Sequence, residues 1–278
     1  RRVDCRLGTN EDFAAVCKTL HEHGIKVVLD GVFNHTGYDS RYFNARGHYD
    51  SVGAFQSKES PYFSWFDFHN WPNEYGSWWG IYTLPQVNET DGSYQNYIIE
   101  DEDSVVRRWL RLGASGWRLD VAADLGKTEE FNHAFWRMFR TAVKSVSPDK
   151  LILAEHYGDA APWLTGNQWD SIMNYDAFME PVTWFLTGME KHSDEYIPEK
   201  KGKVDDFEGA MRHFMASFQT SQLQCAMNEL SNHDHSRFLT RTNRTAGRVG
   251  THGPEAAEYG VNFGIFREAV VVLSLIHI

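Results

Sequence analysis

The segment TNEDFAAVCKTLHEHGIKVVLDGVFNH, residues 9–35, decides the fold class of this chain. Thr9 and Asp12 match the capping box that begins a helix, and apolar residues then recur at helical spacing as far as Leu20. Gly24 supplies the left-handed residue at which such a helix ends, and the apolar run after it predicts a buried parallel strand. The segment therefore predicts a helix followed directly by a strand with polar residues at its end.

The same order of helix and strand recurs along the chain. Apolar residues at helical spacing precede the strand-like runs GWRLDVA, residues 116–122, and LILAE, residues 151–155. A shorter strand is predicted at 171–174, and a helix at 207–218 precedes the run CAMNEL, residues 225–230. This alternation predicts a parallel sheet, either doubly wound or closed as a barrel. No glycine-rich phosphate loop follows any of these strands, which weakens the doubly wound nucleotide-binding alternative.

Composition restricts the classes of partner. The chain has 278 residues, of which 42% are hydrophobic, so it can bury a substantial core. Its formal net charge of −11 argues against nucleic acid as a partner, because phosphates require a basic surface. The sequence has no apolar stretch long enough to predict a membrane-spanning helix. Cys5, Cys17 and Cys225 are far apart and outside any CxxC pattern, so they predict neither a disulfide framework nor a zinc site.

Three carboxylates follow three of the strand-like runs: Asp120, Glu155 and Asp234. Sugar chemistry needs one carboxylate that attacks or stabilises and one carboxylic acid that protonates the leaving oxygen. Arg118 and Asp120 are two apart on a strand, so both side chains leave on one face, and the cation keeps the carboxylate ionised as a nucleophile requires. A purely structural ion pair is the alternative for this motif.

Glu155 and Asp234 differ from Asp120 in their neighbours. Glu155 has no basic residue nearby in the sequence, and a carboxyl at a buried strand end without a close cation can have its pKa raised and act as an acid. His233 precedes Asp234, and this pair fits a metal site, a proton relay or a substrate clamp. No HExxH or similarly spaced ligand set supports zinc.

Residues 37–98 interrupt the alternation and are too long for an ordinary connection. Ten aromatic residues lie within PYFSWFDFHNWPNEYGSWWGIY, residues 61–82. These rings either form the core of an inserted subdomain or present a platform on which sugar faces stack. Both interpretations can hold for different rings.

Together, these segments resemble the α-amylase superfamily of glycoside hydrolases. DGVFNH, residues 30–35, is similar to that family's first signature at barrel strand three, and GWRLD, residues 116–120, to the second at strand four. The segment around Glu155 is similar to the third signature at strand five, and SNHD, residues 231–234, to the fourth at strand seven. LPQVN, residues 84–88, looks like the extra motif near the end of the family's inserted B domain. Five motifs in this order and spacing leave little room for coincidence.

The resemblance implies an incomplete (β/α)8 TIM barrel, covering about strands three to seven, with a B domain inserted after strand three. The implied division is a barrel segment at residues 1–36, the B domain at residues 37–98 and a second barrel segment at residues 99–278. Strands one, two and eight are then missing, and the terminal SLIHI is unlike the family's strand eight. We expect the isolated chain to be unstable or inactive, because a barrel without all its strands has open edges.

The resemblance also implies a retaining mechanism with three catalytic residues. Asp120 matches the nucleophile that attacks the anomeric carbon, while Glu155 matches the acid that protonates the leaving oxygen and then deprotonates water. Asp234 matches the carboxylate that stabilises the transition state by binding the distorted sugar more tightly than the ground state.

Other positions match the family's substrate-binding residues. Arg118 matches the arginine that orients the nucleophile, and His35 and His233 match histidines that hydrogen-bond the sugar at the point of cleavage. No cofactor is required by this chemistry, and no metal site is predicted. Calcium-binding members often have His four residues after the nucleophile, where this chain has Asp124. A structural calcium ion stays an open alternative, since the counterpart of Asn34 binds calcium in some members.

The implied substrate is an α-glucan, and the motifs look most like the neopullulanase and cyclomaltodextrinase branch. That branch takes small maltooligosaccharides, cyclodextrins or pullulan, and it often dimerises through an N-terminal domain, so a homodimer of the full-length protein is expected. A plain α-amylase, an α-1,6-acting relative and a transglycosylating enzyme stay open. A non-catalytic amylase-like accessory domain is disfavoured because such relatives usually lose at least one of the three acids. A nucleotide-binding oxidoreductase lacks its glycine loop here.

Overall fold

The computed structural model describes residues 1–190, 195–245 and 253–275, which form two compact units. The first unit comprises Arg1–Glu155 and Thr165–Asp170, and the second comprises His156–Leu164 and Ser171–Ile278. Across the described ranges, no helix combines the length and apolar character needed to cross a bilayer.

The first unit begins with the predicted helix and strand. Its elements in chain order are α1 Asn10–Glu22, β1 Val28–Gly31, β2 Phe68–Asn70, β3 Glu74–Tyr75, α2 Gly92–Gln95, α3 Val105–Arg111, β4 Gly116–Leu119, α4 Glu129–Val146 and β5 Leu151–Ala154. The capping box is present, because the Thr9 hydroxyl accepts from the Asp12 N–H at 3.1 Å and the Asp12 carboxylate accepts from the Thr9 N–H at 2.8 Å. Gly24 follows the helix with φ +76°, which confirms the predicted helix end.

The predicted parallel sheet is confirmed for three strands of this unit. β4 pairs in parallel with β1 on one side and with β5 on the other. The register places Asp30 opposite Arg118, and Leu119 opposite Ala154. The residues that follow β4 and β5, Asp120 and Glu155, therefore leave the same edge of the sheet side by side.

The buried strand predicted for the apolar run after Gly24 is present, but it is short and only partly buried. Only Val28–Gly31 forms the strand, and the Val28 and Val32 side chains are 38% and 42% exposed. Within the described part of the chain, β1 pairs with β4 alone, so its other edge has no strand to bury these side chains.

In the aromatic segment, residues 61–82, some rings form a subdomain core and others are exposed to solvent. Trp65 and Phe66 are buried, and Phe66 packs edge-on against Phe43 with ring centroids 4.9 Å apart. These rings form a core beside the antiparallel pair β2–β3. Trp79 and Tyr82, in contrast, are 79% and 68% exposed and contribute little to that core.

The second unit contains mainly helices. Its elements in chain order are β6 Ser171–Ile172, α5 Glu180–Thr187, α6 Val204–Met215, α7 Thr220–Gln224, α8 Phe238–Arg241 and α9 Phe263–Leu275. Its core includes Phe178, Val182, Phe238 and Ala269, all nearly inaccessible to solvent. Helix α9 is the last described element, and residues 276–278 of SLIHI lie outside the described residues.

The predicted strand CAMNEL is wrong, since Met227 alone forms an isolated parallel bridge to Met173. The preceding residues complete the helical turn of α7 instead. The Cys225 N–H donates to the Gln222 carbonyl at 3.1 Å, and the Ala226 N–H donates to the Leu223 carbonyl at 3.2 Å. The N–H groups of Cys225 and Ala226 are therefore used at the end of the helix and cannot form hydrogen bonds with a neighbouring strand.

Candidate active site

Arg118, on β4, joins three carboxylates in the first unit. Its Nη1 donates to Asp120 Oδ1 at 2.8 Å and to Asp30 Oδ1 at 3.0 Å. Its Nη2 lies 3.1 Å from Glu155 Oε1. The Arg118, Glu155 and Asp120 side chains are 11%, 6% and 19% exposed, so these three are largely buried, whereas Asp30 is 55% exposed. The structure thus brings together three of the residues predicted from the sequence, together with Asp30.

The guanidinium stays charged despite its burial. Burial lowers the pKa of Arg118, but the negative charges of Glu155, Asp120 and Asp30 outweigh it and raise the pKa above its ordinary value. The expectation that Glu155 lacks a close cation is wrong. Arg118 is remote in sequence, but the parallel pairing of β4 with β5 carries Glu155 to its side.

A strained residue directly follows Asp120. Val121 has φ +39° and ψ +46°, a left-handed conformation that a β-branched residue rarely adopts. In this conformation its backbone N–H donates to Glu155 Oε2 at 3.0 Å. One oxygen of Glu155 therefore contacts Arg118, and the other accepts a hydrogen bond from the Val121 N–H. Both contacts favour the ionised carboxylate and hold it in one orientation.

The turn after Val121 is fixed by two side chains of α4 that sequence reasoning missed. Asn132 and Trp136 are 2% and 1% exposed. The Trp136 Nε1–H donates to the Ala122 carbonyl at 2.8 Å. The Asn132 Nδ2 amide donates to three carbonyl oxygens, those of Ala122 at 2.9 Å, Ala123 at 3.2 Å and Leu125 at 2.8 Å. An amide on the apolar face of a helix was the available signal, because a buried Asn needs partners.

His35 follows β1 in the same unit and is partly buried. Burial lowers the pKa of His35, while the charge of Asp120 opposes this, so the imidazole is neutral at neutral pH. Its ring stacks on Trp78 with centroids 5.2 Å apart and an interplanar angle of 17°. An antiparallel bridge joins His35 to Gln86, and the Val87 N–H donates to the Asn34 carbonyl at 3.0 Å. The DGVFNH and LPQVN motifs are therefore in direct contact.

His233 and Asp234 lie in the second unit. His233 Nε2 is 3.5 Å from Asp234 Oδ1, and the two side chains are 66% and 48% exposed. Asn232 organises this loop, because its Oδ1 accepts from the Asp234 N–H at 3.0 Å and its Nδ2 donates to the Tyr175 hydroxyl at 2.9 Å. In the ranges that the structure describes, no group of three or more His, Cys, Asp or Glu side chains could hold a metal ion.

A tyrosine pair in the second unit was also missed. Tyr157 stacks on Tyr175 with ring centroids 4.3 Å apart and an interplanar angle of 10°. Tyr175 is fully buried, whereas Tyr157 is 39% exposed. The signal in the sequence was an aromatic residue only two positions after Glu155.

Comparison with known proteins gives one family and several relatives. Residues 1–254 match the family described as alpha amylase, catalytic domain. An amylopullulanase of Thermoanaerobacterium thermosulfurigenes is 35% identical over 259 residues, covering 86% of this chain but 13% of that protein. A cyclomaltodextrinase of Thermoanaerobacter pseudethanolicus is 30% identical over 255 residues, covering 89% of this chain and 39% of that protein. The chain thus spans well under half the length of either relative.

A solved structure gives the same result for the fold. The cyclic α-maltosyl-(1→6)-maltose hydrolase of Arthrobacter globiformis superimposes with a TM-score of 0.69 and 29% identity, covering 92% of this chain and 51% of that one. The family match and this likeness imply a (β/α)8 barrel. The doubly wound sheet that the pattern of helices and strands left open is therefore excluded.

Proposed function

Because the chain belongs to the α-amylase catalytic-domain family, we propose that it is part of the catalytic domain of a retaining α-glucan hydrolase. The names of its relatives, amylopullulanase and cyclomaltodextrinase, favour pullulan, cyclodextrins and related oligosaccharides as substrates. The observation that carries the proposal is the buried cluster in which a single guanidinium contacts both Asp120 and Glu155.

Asp120 is proposed as the nucleophile. Arg118 donates to its Oδ1 at 2.8 Å, which orients the carboxylate and favours its ionised form. Among the described residues, Asp120 Oδ2 has no hydrogen-bond donor, so this oxygen is available to attack the anomeric carbon. The bond from that carbon to the leaving oxygen breaks as the glycosyl ester forms.

Glu155 is proposed as the acid and then the base. In the free protein Arg118 and Val121 both stabilise its charged form. Substrate that excludes water from this buried side chain disfavours the charge and allows Glu155 to carry the proton for the leaving oxygen. After the first step, the ionised carboxylate takes a proton from the water that hydrolyses the ester.

The retaining mechanism rests on the resemblance to the family, and the two carboxylates lie within reach of one cation. One guanidinium contacts Asp120 and Glu155 through its two terminal nitrogens, which limits the separation of the carboxyl groups. The neutral imidazole of His35 can hydrogen-bond a sugar hydroxyl without adding charge.

The remaining assignments of the proposal rest on the resemblance. Asp234 stabilises the transition state and His233 binds the sugar. Strands β1, β4 and β5 correspond to barrel strands three, four and five, and residues 37–98 to the inserted B domain. The dimer of the full-length protein and the absence of a required cofactor stay predictions.

The test compares carboxylate and amide variants of the full-length protein on maltooligosaccharides, β-cyclodextrin and pullulan. Asp120→Asn and Glu155→Gln should each lower the release of reducing sugar by about 10⁴-fold, the scale found when a nucleophile or its proton carrier is removed. Asp124→Asn is the matched control, since this carboxylate lies in the same turn and has no proposed role. Circular dichroism should show unchanged folding. Near-normal turnover in either variant would contradict the proposal, and a β-anomer as first product would exclude retention.

A further inference from the structure

Trp79 is the most exposed tryptophan among the residues that the structure describes, with 79% of its surface accessible. Tryptophan is usually well buried, because its large apolar surface is stabilised away from water. The next residue, Gly80, adds no side chain that could cover the ring. An indole exposed to this extent is a surface suited to a flat ligand.

The backbone of Trp79 is also strained. Its φ of +51° and ψ of +26° lie in the left-handed region that favours glycine. Such conformations persist where the surroundings impose them, and they are enriched at ligand-binding sites. The strain buries no apolar surface here, because it turns the ring toward solvent. Packing of the core therefore gives no reason for this conformation.

The ring is connected to the proposed active site. Trp79 stacks on Trp78 with centroids 4.8 Å apart and an interplanar angle of 18°. Trp78 stacks in turn on His35, at 5.2 Å and 17°. We call His35, Trp78 and Trp79 the ring column. All three rings belong to the first unit, and the column leads to solvent from His35, the imidazole whose pKa is affected by the charge of Asp120.

We infer that Trp79 forms an outer sugar-binding subsite, which stacks on a glucosyl residue of an α-glucan chain away from the bond that is cleaved. The inference rests on the proposed hydrolase function. The axially directed C–H groups of a glucose ring form an apolar face that fits an uncharged indole. Continuity of the ring column with His35 argues for substrate as the occupant. Trp79 therefore sets a preference for longer chains over short ones.

The experiment measures kcat and KM of the full-length protein on pullulan and on an activated short maltoside, 4-nitrophenyl maltoside. Trp79→Gly removes the ring and suits the left-handed backbone, so the variant should fold with a melting temperature close to that of the parent. Its KM for pullulan should rise about 3- to 10-fold with kcat retained, the size of one aromatic contact. Its KM for the short maltoside should not change. Trp79→Phe should recover most of the loss.

Tyr259→Ala is the matched control, because this ring is 85% exposed and lies in the second unit. Titration of maltoheptaose into Asp120→Asn with and without Trp79→Gly measures binding without turnover. An unchanged KM for pullulan and unchanged maltoheptaose affinity would overturn the inference while leaving the hydrolase proposal intact. Unchanged constants with an altered oligomeric state would assign the ring to self-association instead. Full activity of Asp120→Asn would refute the hydrolase proposal itself.

Discussion

Replacing Asn132 with alanine tests whether α4 holds the turn after Asp120. The amide has two N–H groups, which are shared among the carbonyls of Ala122, Ala123 and Leu125. Ala122 keeps the Trp136 N–H, but the other two carbonyls lose their side-chain donor. Two hydrogen bonds contribute about 1 kcal/mol each, and buried carbonyls left without a donor add about 1 to 2 kcal/mol. We expect the free energy of unfolding to fall by about 3 to 4 kcal/mol.

The assay is urea unfolding followed by circular dichroism and fluorescence. Asn132→Asp should be at least as damaging as Asn132→Ala, because a carboxylate would face three carbonyl oxygens. Asn73→Ala is the control: this side chain is exposed, and such substitutions usually change stability by less than about 0.5 kcal/mol. A loss below about 0.5 kcal/mol for Asn132→Ala would refute the reasoning, since the turn would then be held by other contacts.

The same substitution has a catalytic consequence if the hydrolase proposal holds. A loosened turn no longer fixes the strained Val121, whose N–H donates to Glu155. Loss of one charge-assisted hydrogen bond to the acid should lower kcat about 10-fold with little change in KM. The pH dependence of kcat should shift as well, because a donor that stabilises the ionised Glu155 has been weakened. A purely structural role would lower the yield of folded protein and leave this pH profile unchanged.

Two further predictions concern stability. Burial raises the pKa of Glu89 to about 7, above its value in the unfolded chain, so stability should fall by about 3 kcal/mol as pH rises from 4.5 to 7 and then level off. Urea unfolding across this range should show a flatter profile for Glu89→Gln, and an identical slope in both proteins would contradict the assignment. Gly113 has φ +120°, and a Cβ there would lie 2.7 Å from Cys17 Cβ, so Gly113→Ala should cost about 2 to 4 kcal/mol. The exposed helical Gly209→Ala should instead gain about 0.5 to 1 kcal/mol, and equal effects at both sites would show that the left-handed backbone does not matter.

Local signals in the sequence predicted most of the helices and the parallel strands. The capping box at Thr9 and the glycine after α1 act within a few residues, so a single sequence contains them in full. Alternation of helix and strand then implies parallel pairing, which brings Asp120 and Glu155 to one sheet edge. The strand predicted for the run CAMNEL was wrong because its apolar residues fit a strand and a helix end equally well. Only the hydrogen bonds of Cys225 and Ala226 decide between them.

The contacts that orient the site could not be predicted, because they depend on register and on partners far along the chain. Arg118 reaches Glu155 only through the pairing of β4 with β5. The left-handed conformation of Val121 contradicts the preference of a β-branched residue, so no propensity would assign it. Asn132 shows its role only once the carbonyls it binds are known.

Backbone strain gives an independent argument about the site. Four non-glycine residues among those described have positive φ: Asn44, Trp79, Val121 and Arg244. Asparagine tolerates this conformation, and Arg244 follows the helical turn after α8, where left-handed residues are common. For Trp79 and Val121, neither the side chain nor the position in the chain explains a positive φ. One lies at the outer end of the ring column and the other donates to Glu155, so the strain that local structure leaves unexplained falls on the proposed substrate path.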